Sequence, residues 1–332
     1  MAKLLDKFRG SLVGALAGDC LGSFFEGMSF FPIPIEHVKD IISKKLEKVE
    51  PGSITYSDDT AMTRAICKSL IEKQGFDDEH MAYEFSKEFF KEPHRGYGEG
   101  VPKVFVKLKD KVEDFRQPAR EQFNGTGSYG NGAAMRISPI ALYSKDPASL
   151  IEYARRSAEI THAHINGVNG AIIQAQAVFN ALVIEPPNLD KNQYIDDLTE
   201  VAKTLKTEIS FPYELQLKEM KTLLSLPIEE ITSQKVMETF GNGIRAEQAV
   251  PAAIFAFLFK GTDSVKECIH FAISLGGDTD TIASMAGAIS GAYMGLQAIP
   301  ESWKEKCEAS KEAIDFADKV FELREKESAR SK

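Results

Sequence analysis

The stretch that decides the fold is SLGGDTDTIASMAGAISGAYMG, residues 274–295. Two aspartates separated by one threonine, Asp278 and Asp280, stand directly before a run of small and apolar residues. Within that run glycine recurs every fourth residue, at Gly287, Gly291 and Gly295. Residues four apart lie on the same face of a helix. The spacing therefore predicts a helix with one face open to close approach by another backbone.

A second glycine series with the same spacing lies near the start of the chain, at Gly10, Gly14, Gly18 and Gly22. A glycine inside a helix costs roughly 1 kcal/mol relative to alanine, so two such series predict compensating close packing. In a membrane this spacing favours a helix dimer. Because Arg9 and Asp19 flank or interrupt the first series, we favour a crowded core of a soluble protein instead.

The composition is that of an ordinary globular protein, with 332 residues, 43% hydrophobic and 27% charged. A net charge of −9 argues against direct nucleic-acid binding, which normally requires a basic face. We expect no membrane helix, because no apolar run reaches roughly 18 residues, and no secretory signal, because Asp19 interrupts the apolar stretch that follows the charged start. The four cysteines form no CxxC pair, so reduced thiols in a cytosolic or nuclear compartment are expected.

Apolar residues recur with helical spacing in several long segments, among them TAMTRAICKSLIEK (60–73) and NGAIIQAQAVFNALV (169–183). Alternating segments bounded by hairpin turns are absent, so we predict an all-α protein. Length alone suggests about two domains. Similar motifs near both ends of the chain favour one domain over residues 1–332 with a shared site, and a charged tail at about 325–332 that we expect to fray.

A second acidic stretch, YSDDTAM (56–62), again places aspartates, Asp58 and Asp59, beside a hydroxyl residue, Ser57, before an apolar helix. Capping explains any one of these residues, since such side chains accept hydrogen bonds at a helix start. Four carboxylates exceed that need, and converging loops would raise each pKa unless a cation intervened. Oxygen donors without Cys or His suit Mg²⁺, Mn²⁺ or Ca²⁺ rather than zinc. Glu26, in an aromatic-rich loop, is either a further candidate or a solvated loop acid.

The segment GTGSYG, residues 125–130, has the spacing of a phosphate-binding glycine loop. No strand precedes it and no Gly-Lys-Ser/Thr follows it, which excludes a Rossmann fold and a P-loop. Its backbone N–H groups can still cradle a pyrophosphate, with Phe123 and Tyr129 stacking on a base or ribose, although a plain turn is the alternative. His162 and His164 have no partners for a zinc set, and structural hydrogen bonds explain them most simply.

Taken together, these motifs resemble the ADP-ribosylglycohydrolase family over roughly residues 5–320. The resemblance is carried, in the expected order, by FRGSLVGALAGDCLGSFFEG, YSDDTAM, RGYGEGV, FNGTGSYGNGAAMR, THAHINGVNGAI, GNGI and SLGGDTDTIASMAGAISGA. Paired metal motifs with a glycine loop between them are a specific combination. Within the family, the chain is most similar to the vertebrate-type branch that removes ADP-ribose from serine.

The resemblance implies an all-α orthogonal helical domain with two Mg²⁺ ions in one cleft, where Mn²⁺ could substitute. The implied metal ligands are Glu26, Ser57, Asp58, Asp59, Asp278, Asp280 and Thr281. The implied substrate contacts are Asp58, Gly98, Gly100, Phe123, Thr126, Gly127, Ser128, Tyr129, Gly130, Asn131, Gly132, His162 and Ile244, with Gly96 in the same loop as Gly98. Residues 126–132 would hold the diphosphate and Phe123 the adenine. Ser57 departs from the expected threonine but keeps the oxygen.

The implied activity is hydrolysis of the O-glycosidic bond between C1″ of ADP-ribose and a serine side chain, with poly(ADP-ribose) and O-linked esters as related substrates. Catalytic roles fall on Glu26, Asp58 and Asp59, and whether Glu26 or an aspartate activates water stays open. Nearby carboxylates can stabilise oxocarbenium character at C1″, while metal polarises the leaving oxygen. Glu26 would act as a loop gate.

Two alternatives stay open at this point. One is the arginine-specific branch of the same fold, which cleaves an N-glycosidic bond; the Glu26 loop favours the serine branch. The other is a non-catalytic ADP-ribose-binding relative, against which the intact acidic set argues. The resemblance further implies serine-modified proteins such as chromatin proteins as partners, a role in repair of DNA damage, a monomer, and a place in the cytoplasm, the nucleus and the mitochondrial matrix.

Overall fold

Helix α1 (Ala2–Gly22) and helix α17 (Thr279–Met294) cross with their glycines in contact. The structure, a computed structural model, describes residues 2–110, 112–205 and 213–330. A Cβ atom added to Gly14 would lie 2.3 Å from the carbonyl oxygen of Gly287, and one added to Gly18 would lie 2.1 Å from that of Ala283. Successive contacts run in opposite directions along the two helices. The end of α1 therefore meets the beginning of α17, and the predicted close packing is confirmed.

Helices make up the regular structure of the described residues. In chain order they are α1 (Ala2–Gly22), α2 (Ile35–Lys48), α3 (Asp58–Lys73), α4 (Asp78–Lys91), α5 (Val101–Lys109), α6 (Gln117–Arg120), α7 (Gln122–Gly125), α8 (Gly132–Met135), α9 (Ser138–Tyr143), α10 (Pro147–Ala158), α11 (Ile165–Val183), α12 (Lys191–Thr204), α13 (Tyr213–Leu224), α14 (Ser233–Phe240), α15 (Ala246–Ala256), α16 (Val265–Ser274), α17 (Thr279–Met294), α18 (Glu301–Lys306) and α19 (Ser310–Arg330). Two short 3₁₀ turns and a π-helical segment (Phe257–Gly261) complete them. Within the described ranges only two isolated β-bridges occur and no strand forms, so the all-α prediction is confirmed.

Helix α17 is the centre of the core, because α1, α11, α15 and α16 all pack around it. Nearly every residue of α11 and α17 is buried, which matches their small and apolar composition. The described residues form one compact domain around this core. Helix α19 packs on α1 and runs to Arg330, while residues 331–332 of the tail predicted to fray lie outside the described residues.

The sequence predicted reduced cysteines and no membrane helix, and both predictions can be compared with the structure. All four cysteines are buried and none is paired in a disulfide. Among the described residues, no helix combines the length and the apolar character that crossing a bilayer requires. The glycine series of α1 therefore packs inside the domain, against α17, as the charges flanking it predicted.

Candidate active site

The first acidic motif lies at the beginning of α3. Ser57 is the N-cap residue, and its hydroxyl oxygen accepts the backbone N–H of Asp59 at 3.2 Å. The same hydroxyl donates to Oδ2 of Asp59 at 3.1 Å. Asp59 is buried, whereas Asp58 faces the neighbouring cleft. Ser57 therefore caps α3 with its hydroxyl, and the carboxylates of Asp58 and Asp59 are not needed for capping.

The second motif lies at the beginning of α17, and it touches the first. The backbone N–H of Thr281 donates to Oδ1 of Asp280 at 2.8 Å. The hydroxyl of Thr281 reaches across 222 positions of the sequence to donate to Oδ2 of Asp59 at 3.3 Å. Asp278 and Asp280 both line the cleft that Asp58 faces. The two loops thus converge, as the metal-site hypothesis required.

Asp19 is a member of this cluster that the sequence analysis missed as a site residue. It is fully buried on α1, and its carboxylate oxygens lie within 4.8 Å of oxygens of Asp59 and Asp280. Both of its oxygens accept backbone N–H groups from the start of α3, from Ser57 at 2.9 Å and from Thr60 at 3.0 Å. Because these donors already occupy its oxygens, Asp19 orients the first motif. The available signal was an acid inside the otherwise uncharged second half of α1, from Gly10 to Gly22.

Burial and mutual repulsion raise the pKa of the acids in this cluster. The pKa of Asp58 rises to about 8, through burial first and then through the charges of Asp19 and Asp278. Burial, followed by neighbouring carboxylates, also raises the pKa of Asp59 and of Asp280 well above the usual range. Buried charges that face one another are costly unless a cation compensates them.

The donor set fits the divalent metal that the resemblance implies. Oδ1 of Asp59 is buried and has no hydrogen-bond partner in the structure, so one lone pair of a buried carboxylate is unused. All nearby side-chain donors are oxygens of Asp, Glu, Ser and Thr, which suits a hard cation such as Mg²⁺. An unpartnered buried oxygen surrounded by like charges is the expected state of a metal ligand without its ion.

Glu26 lies on the turn that follows α1, in the segment of residues 23–34 that we call the Glu26 loop. It is exposed, it lines the cleft, and its side chain forms no hydrogen bond with another described residue. Partial burial of its carboxyl and the charge of Asp278 raise its pKa. Glu26 therefore stands at the mouth of the acidic cluster without being fixed to it.

Acidic cluster and glycine loop share one cleft of about 280 Å³. Predicted residues on its wall are Glu26, Asp58, Gly96, Gly98, Gly100, Phe123, Ser128, Tyr129, Gly130, Asn131, Gly132, His162, Ile244, Asp278, Asp280 and Thr281. The sequence analysis missed Tyr97, Gln122 and Arg136, which also line it. Carboxylates, glycines and aromatic rings therefore line the same cleft, which suits a ligand that has both polar and aromatic parts.

Residues 126–132, which we call the diphosphate loop after the ligand group predicted from the sequence, contact residues 244–245 and Asp278. The backbone N–H of Asn131 donates to the carbonyl of Ile244 at 2.9 Å, and Gly130 forms a bridge with Arg245. The side-chain amide of Asn131 donates to Oδ2 of Asp278 at 2.6 Å. This contact joins the loop to the second acidic motif, so the two halves of the cleft are held at a fixed separation.

Thr126 and Gly127 do not line the cleft but support the turn beside it. The hydroxyl of Thr126 donates to the carbonyl of Phe123 at 2.9 Å. Gly127 packs so closely on the next segment that an added Cβ would lie 2.5 Å from the backbone nitrogen of His164. Phe123 itself is 55% exposed, and its ring lies over Gly100. The turn thus presents the exposed ring of Phe123 to the cleft.

His162 lies beneath the diphosphate loop as a neutral ring, because burial lowers its pKa to about 3. Its Nδ1 is 2.7 Å from Oγ1 of Thr161, and that oxygen accepts a hydrogen bond from Arg136. The hydroxyl hydrogen of Thr161 is then available for Nδ1, which leaves the ring proton on Nε2, close to Gly130 and Gly132.

His164, by contrast, has the structural role that the sequence analysis expected. Its Nδ1 accepts the backbone N–H of Asn166 at 3.2 Å, as the N-cap of α11. The two histidines of the THAH segment therefore separate, and only His162 lies on the cleft wall.

Comparison with known proteins agrees with the family resemblance that the motifs carry. A sequence profile of the ADP-ribosylglycohydrolase family matches residues 1–330. Two relatives named ADP-ribosylhydrolase ARH3 are similar over nearly their whole length: that of Homo sapiens is 40% identical over 351 residues, covering 98% of this chain and 95% of its own. That of Xenopus tropicalis is 42% identical over 344 residues, covering 97% of each chain. A solved structure described as an ADP-ribosylglycohydrolase-related protein complex shares the fold, with a TM-score of 0.72 and 22% identity over 98% of this chain and 100% of that one. The chain therefore belongs to the ADP-ribosylglycohydrolase family and is a hydrolase of glycosidic bonds to ADP-ribose.

Proposed function

We propose that this enzyme releases ADP-ribose from serine side chains of proteins by Mg²⁺-dependent hydrolysis of the O-glycosidic bond at C1″. The observation that carries the proposal is the convergence of Asp58, Asp278 and Asp280 on one cleft with the diphosphate loop. Relatives named ADP-ribosylhydrolase ARH3 match nearly the whole chain, which supports the same class of substrate. Poly(ADP-ribose) and O-linked ADP-ribose esters are further substrates, because they share the C1″–oxygen bond.

The glycine-rich end of the cleft would bind the ADP portion. Backbone N–H groups of residues 126–132 offer hydrogen bonds to the diphosphate, and Nε2–H of His162 adds a neutral donor below them. The exposed ring of Phe123 would stack on the adenine, with Ile244, which is 68% exposed, on the same cleft. A neutral His162 suits this role, because the neutral ring already carries an N–H group on Nε2 that can donate a hydrogen bond.

The acidic end would hold two Mg²⁺ ions, with Mn²⁺ as a substitute. Their ligands would come from Glu26, Ser57, Asp58, Asp59, Asp278, Asp280 and Thr281, which supply only oxygen donors. Support comes from the unpartnered Oδ1 of Asp59 and from the raised pKa values of the cluster. When bound, the metal would compensate the carboxylate charge and act as a Lewis acid toward ribose oxygens.

The side chains at the acidic end would bring about hydrolysis by stabilising positive charge and moving one proton. Breaking the bond between C1″ and the serine oxygen builds oxocarbenium character at C1″, which the carboxylates of Asp58 and Asp59 stabilise. Water adds to C1″ and one of its protons passes to a carboxylate, either Glu26 or Asp58, and from there to the serine oxygen, so that ADP-ribose with a C1″ hydroxyl and a free serine hydroxyl are formed. Glu26 is the more accessible of the two, because it is exposed and no residue in the described ranges hydrogen-bonds its side chain.

The partners would be serine-modified proteins, chromatin proteins among them, with the enzyme acting as a monomer in repair of DNA damage. A net charge of −9 disfavours direct contact with nucleic acid, so the modified protein rather than DNA would be recognised. The cytoplasm, the nucleus and the mitochondrial matrix are the compartments we propose.

The test is release of ADP-ribose from two defined peptides, one modified on serine and one on arginine, with Mg²⁺ or with EDTA. We expect Mg²⁺-dependent release from the serine peptide only. Glu26→Ala and Asp280→Asn should each lower turnover by about a hundredfold or more, since each removes a carboxylate at the reacting bond. Release from the arginine peptide alone would assign the other branch of the family. ADP-ribose binding without any release would identify a non-catalytic relative.

A further inference from the structure

Asn242 links two segments that carry functional acids, although it does not line the cleft itself. It lies in the connection between α14 and α15, two residues before Ile244. Its side-chain amide nitrogen donates to the carbonyl of Phe30 at 2.9 Å and to that of Leu275 at 2.8 Å. A side-chain amide has two N–H donors, and here both are used. One end of the Glu26 loop is thereby joined to the segment that precedes Asp278.

The backbone of Asn242 contacts the second acidic motif directly. Its carbonyl oxygen accepts the N–H of Asp278 at 2.8 Å. Gly277, with φ of +69°, packs so closely that an added Cβ would lie 2.1 Å from the same oxygen. The residue before the metal motif is therefore fixed against Asn242 with no room for a side chain. A shift of Asn242 would be transmitted to the backbone of Asp278.

Further hydrogen bonds extend this connection along the Glu26 loop. The N–H of Gly277 donates to the carbonyl of Ser29 at 2.9 Å, and the N–H of Ile33 donates to that of Ser274 at 2.9 Å. Residues 29–33 are thus paired with residues 274–277. Toward the other end of the loop, Glu26 has no side-chain hydrogen bond within the described part of the chain. Residues 29–33 are therefore the half of the loop that is anchored to the Asp278 motif, whereas the half that carries Glu26 is held through Phe25, which is buried and donates its backbone N–H to the carbonyl of Gly22.

We propose that Asn242 is a positioning residue that fixes the anchored half of the Glu26 loop to the Asp278 motif and so sets where Glu26 meets the cleft. The inference rests on the proposed function for the role of Glu26. Asn242 touches no reacting atom and acts through residues 29–33. An asparagine is required because two carbonyl oxygens face its amide nitrogen, and an aspartate there would meet both with an acceptor.

The experiment compares wild-type enzyme, Asn242→Ala, Glu26→Ala and the double variant. Loss of two hydrogen bonds should lower kcat about tenfold in Asn242→Ala. If Asn242 acts through Glu26, its removal in the Glu26→Ala background should cost less than about twofold further. If the falls in kcat of the two single variants multiply in the double variant, Asn242 has an independent structural role and the proposal is overturned. Single-turnover conditions with excess enzyme keep the slow variants measurable.

Hydrogen exchange gives a second readout that does not depend on activity. In Asn242→Ala the amides of Ile33 and Gly277 should exchange about tenfold faster, because their hydrogen bonds lose their anchor, while those of α1 and α17 stay unchanged. Gln234→Ala on α14, where Gln234 pairs only with Glu238 on the surface, is the matched control and should behave as wild type. Unchanged exchange at Ile33 and Gly277 would overturn the proposal. If the exchange pattern appears but no serine-linked substrate is cleaved, the proposed function fails and the positioning role stands.

Discussion

Asp19 and Thr60 form the shortest link between helix α1 and the first acidic motif: the hydroxyl of Thr60 donates to Oδ2 of Asp19 at 2.6 Å, and its backbone N–H donates at 3.0 Å. The carboxylate thereby caps the beginning of α3 from a different helix. Groups that orient metal ligands in this way commonly affect metal affinity nearly as strongly as the ligands do.

Replacing Asp19 by asparagine should weaken Mg²⁺ binding by about ten- to a hundredfold. Asparagine offers one acceptor, whereas backbone N–H groups approach both oxygens of Asp19, so one of them would face an NH₂ group. Titration calorimetry with Mg²⁺ measures the change. Asp190→Asn is the control, because Asp190 also caps a helix, α12, but lies away from the cleft. Equal Mg²⁺ affinity in Asp19→Asn and wild type would contradict the orienting role.

Alanine at Gly14 should destabilise the fold by about 2–3 kcal/mol, measured by urea denaturation. The added Cβ would lie 2.3 Å from the carbonyl oxygen of Gly287, and two helix backbones would have to separate to admit it. This cost exceeds the roughly 1 kcal/mol that alanine gains over glycine inside a helix. Gly75→Ala is the control, because its Cβ would find only the Tyr143 hydroxyl at 3.5 Å. A Gly14→Ala protein as stable as wild type would show that α1 and α17 separate readily.

Stability of the metal-free protein should fall as pH rises from about 4 to about 8. An unfolded aspartate has a pKa near 3.9, whereas that of Asp58 is about 8 in the folded chain. The folded state then binds more protons than the unfolded state across this window, so the free energy of unfolding decreases with pH. At about 1.4 kcal/mol per pH unit, this window corresponds to a loss of up to roughly 5 kcal/mol in EDTA. Saturating Mg²⁺ should flatten the profile, and identical slopes with and without Mg²⁺ would argue against a metal at this cluster.

Removing the ring of Phe123 should raise KM for ADP-ribosylated peptide about tenfold and leave kcat nearly unchanged. Stacking of a base on an aromatic side chain contributes about 1–3 kcal/mol, and the adenine end lies away from the bond that breaks. Steady-state kinetics of Phe123→Ala separates the two constants. Phe90→Ala is the control, since Phe90 is a partly exposed aromatic of α4 that does not line the cleft. A fall in kcat with constant KM would place Phe123 near the reacting centre instead.

The sequence carries most of the fold in its local patterns. Four-residue glycine spacing predicted that each of these helices packs closely on another backbone, because that spacing has a direct geometric meaning on a helix, and in the structure α1 and α17 pack on each other. The two acidic motifs were recognisable as halves of one site because each holds more carboxylates than capping requires.

Asp19 and Asn242 were not predicted, and the physical reason is the same for both. Their hydrogen bonds join residues up to 41 positions apart for Asp19 and 212 positions apart for Asn242. Nothing local distinguishes a buried acid that orients a distant helix from one that simply interrupts an apolar segment. Such roles depend on tertiary contacts, which periodicity and motif spacing do not encode.

The contact between α1 and α17 also determines when the acidic cluster can form during synthesis of the chain. The hydroxyl of Thr279 donates to the carbonyl of Gly22, 257 positions earlier, at the point where α1 meets α17. Ribosomes make the chain from its N-terminus, so the glycine face of α1 stays uncovered until α17 has been synthesised. Contacts this distant in sequence form slowly. The acidic cluster therefore assembles only after the segment that carries Asp278 and Asp280 has been synthesised.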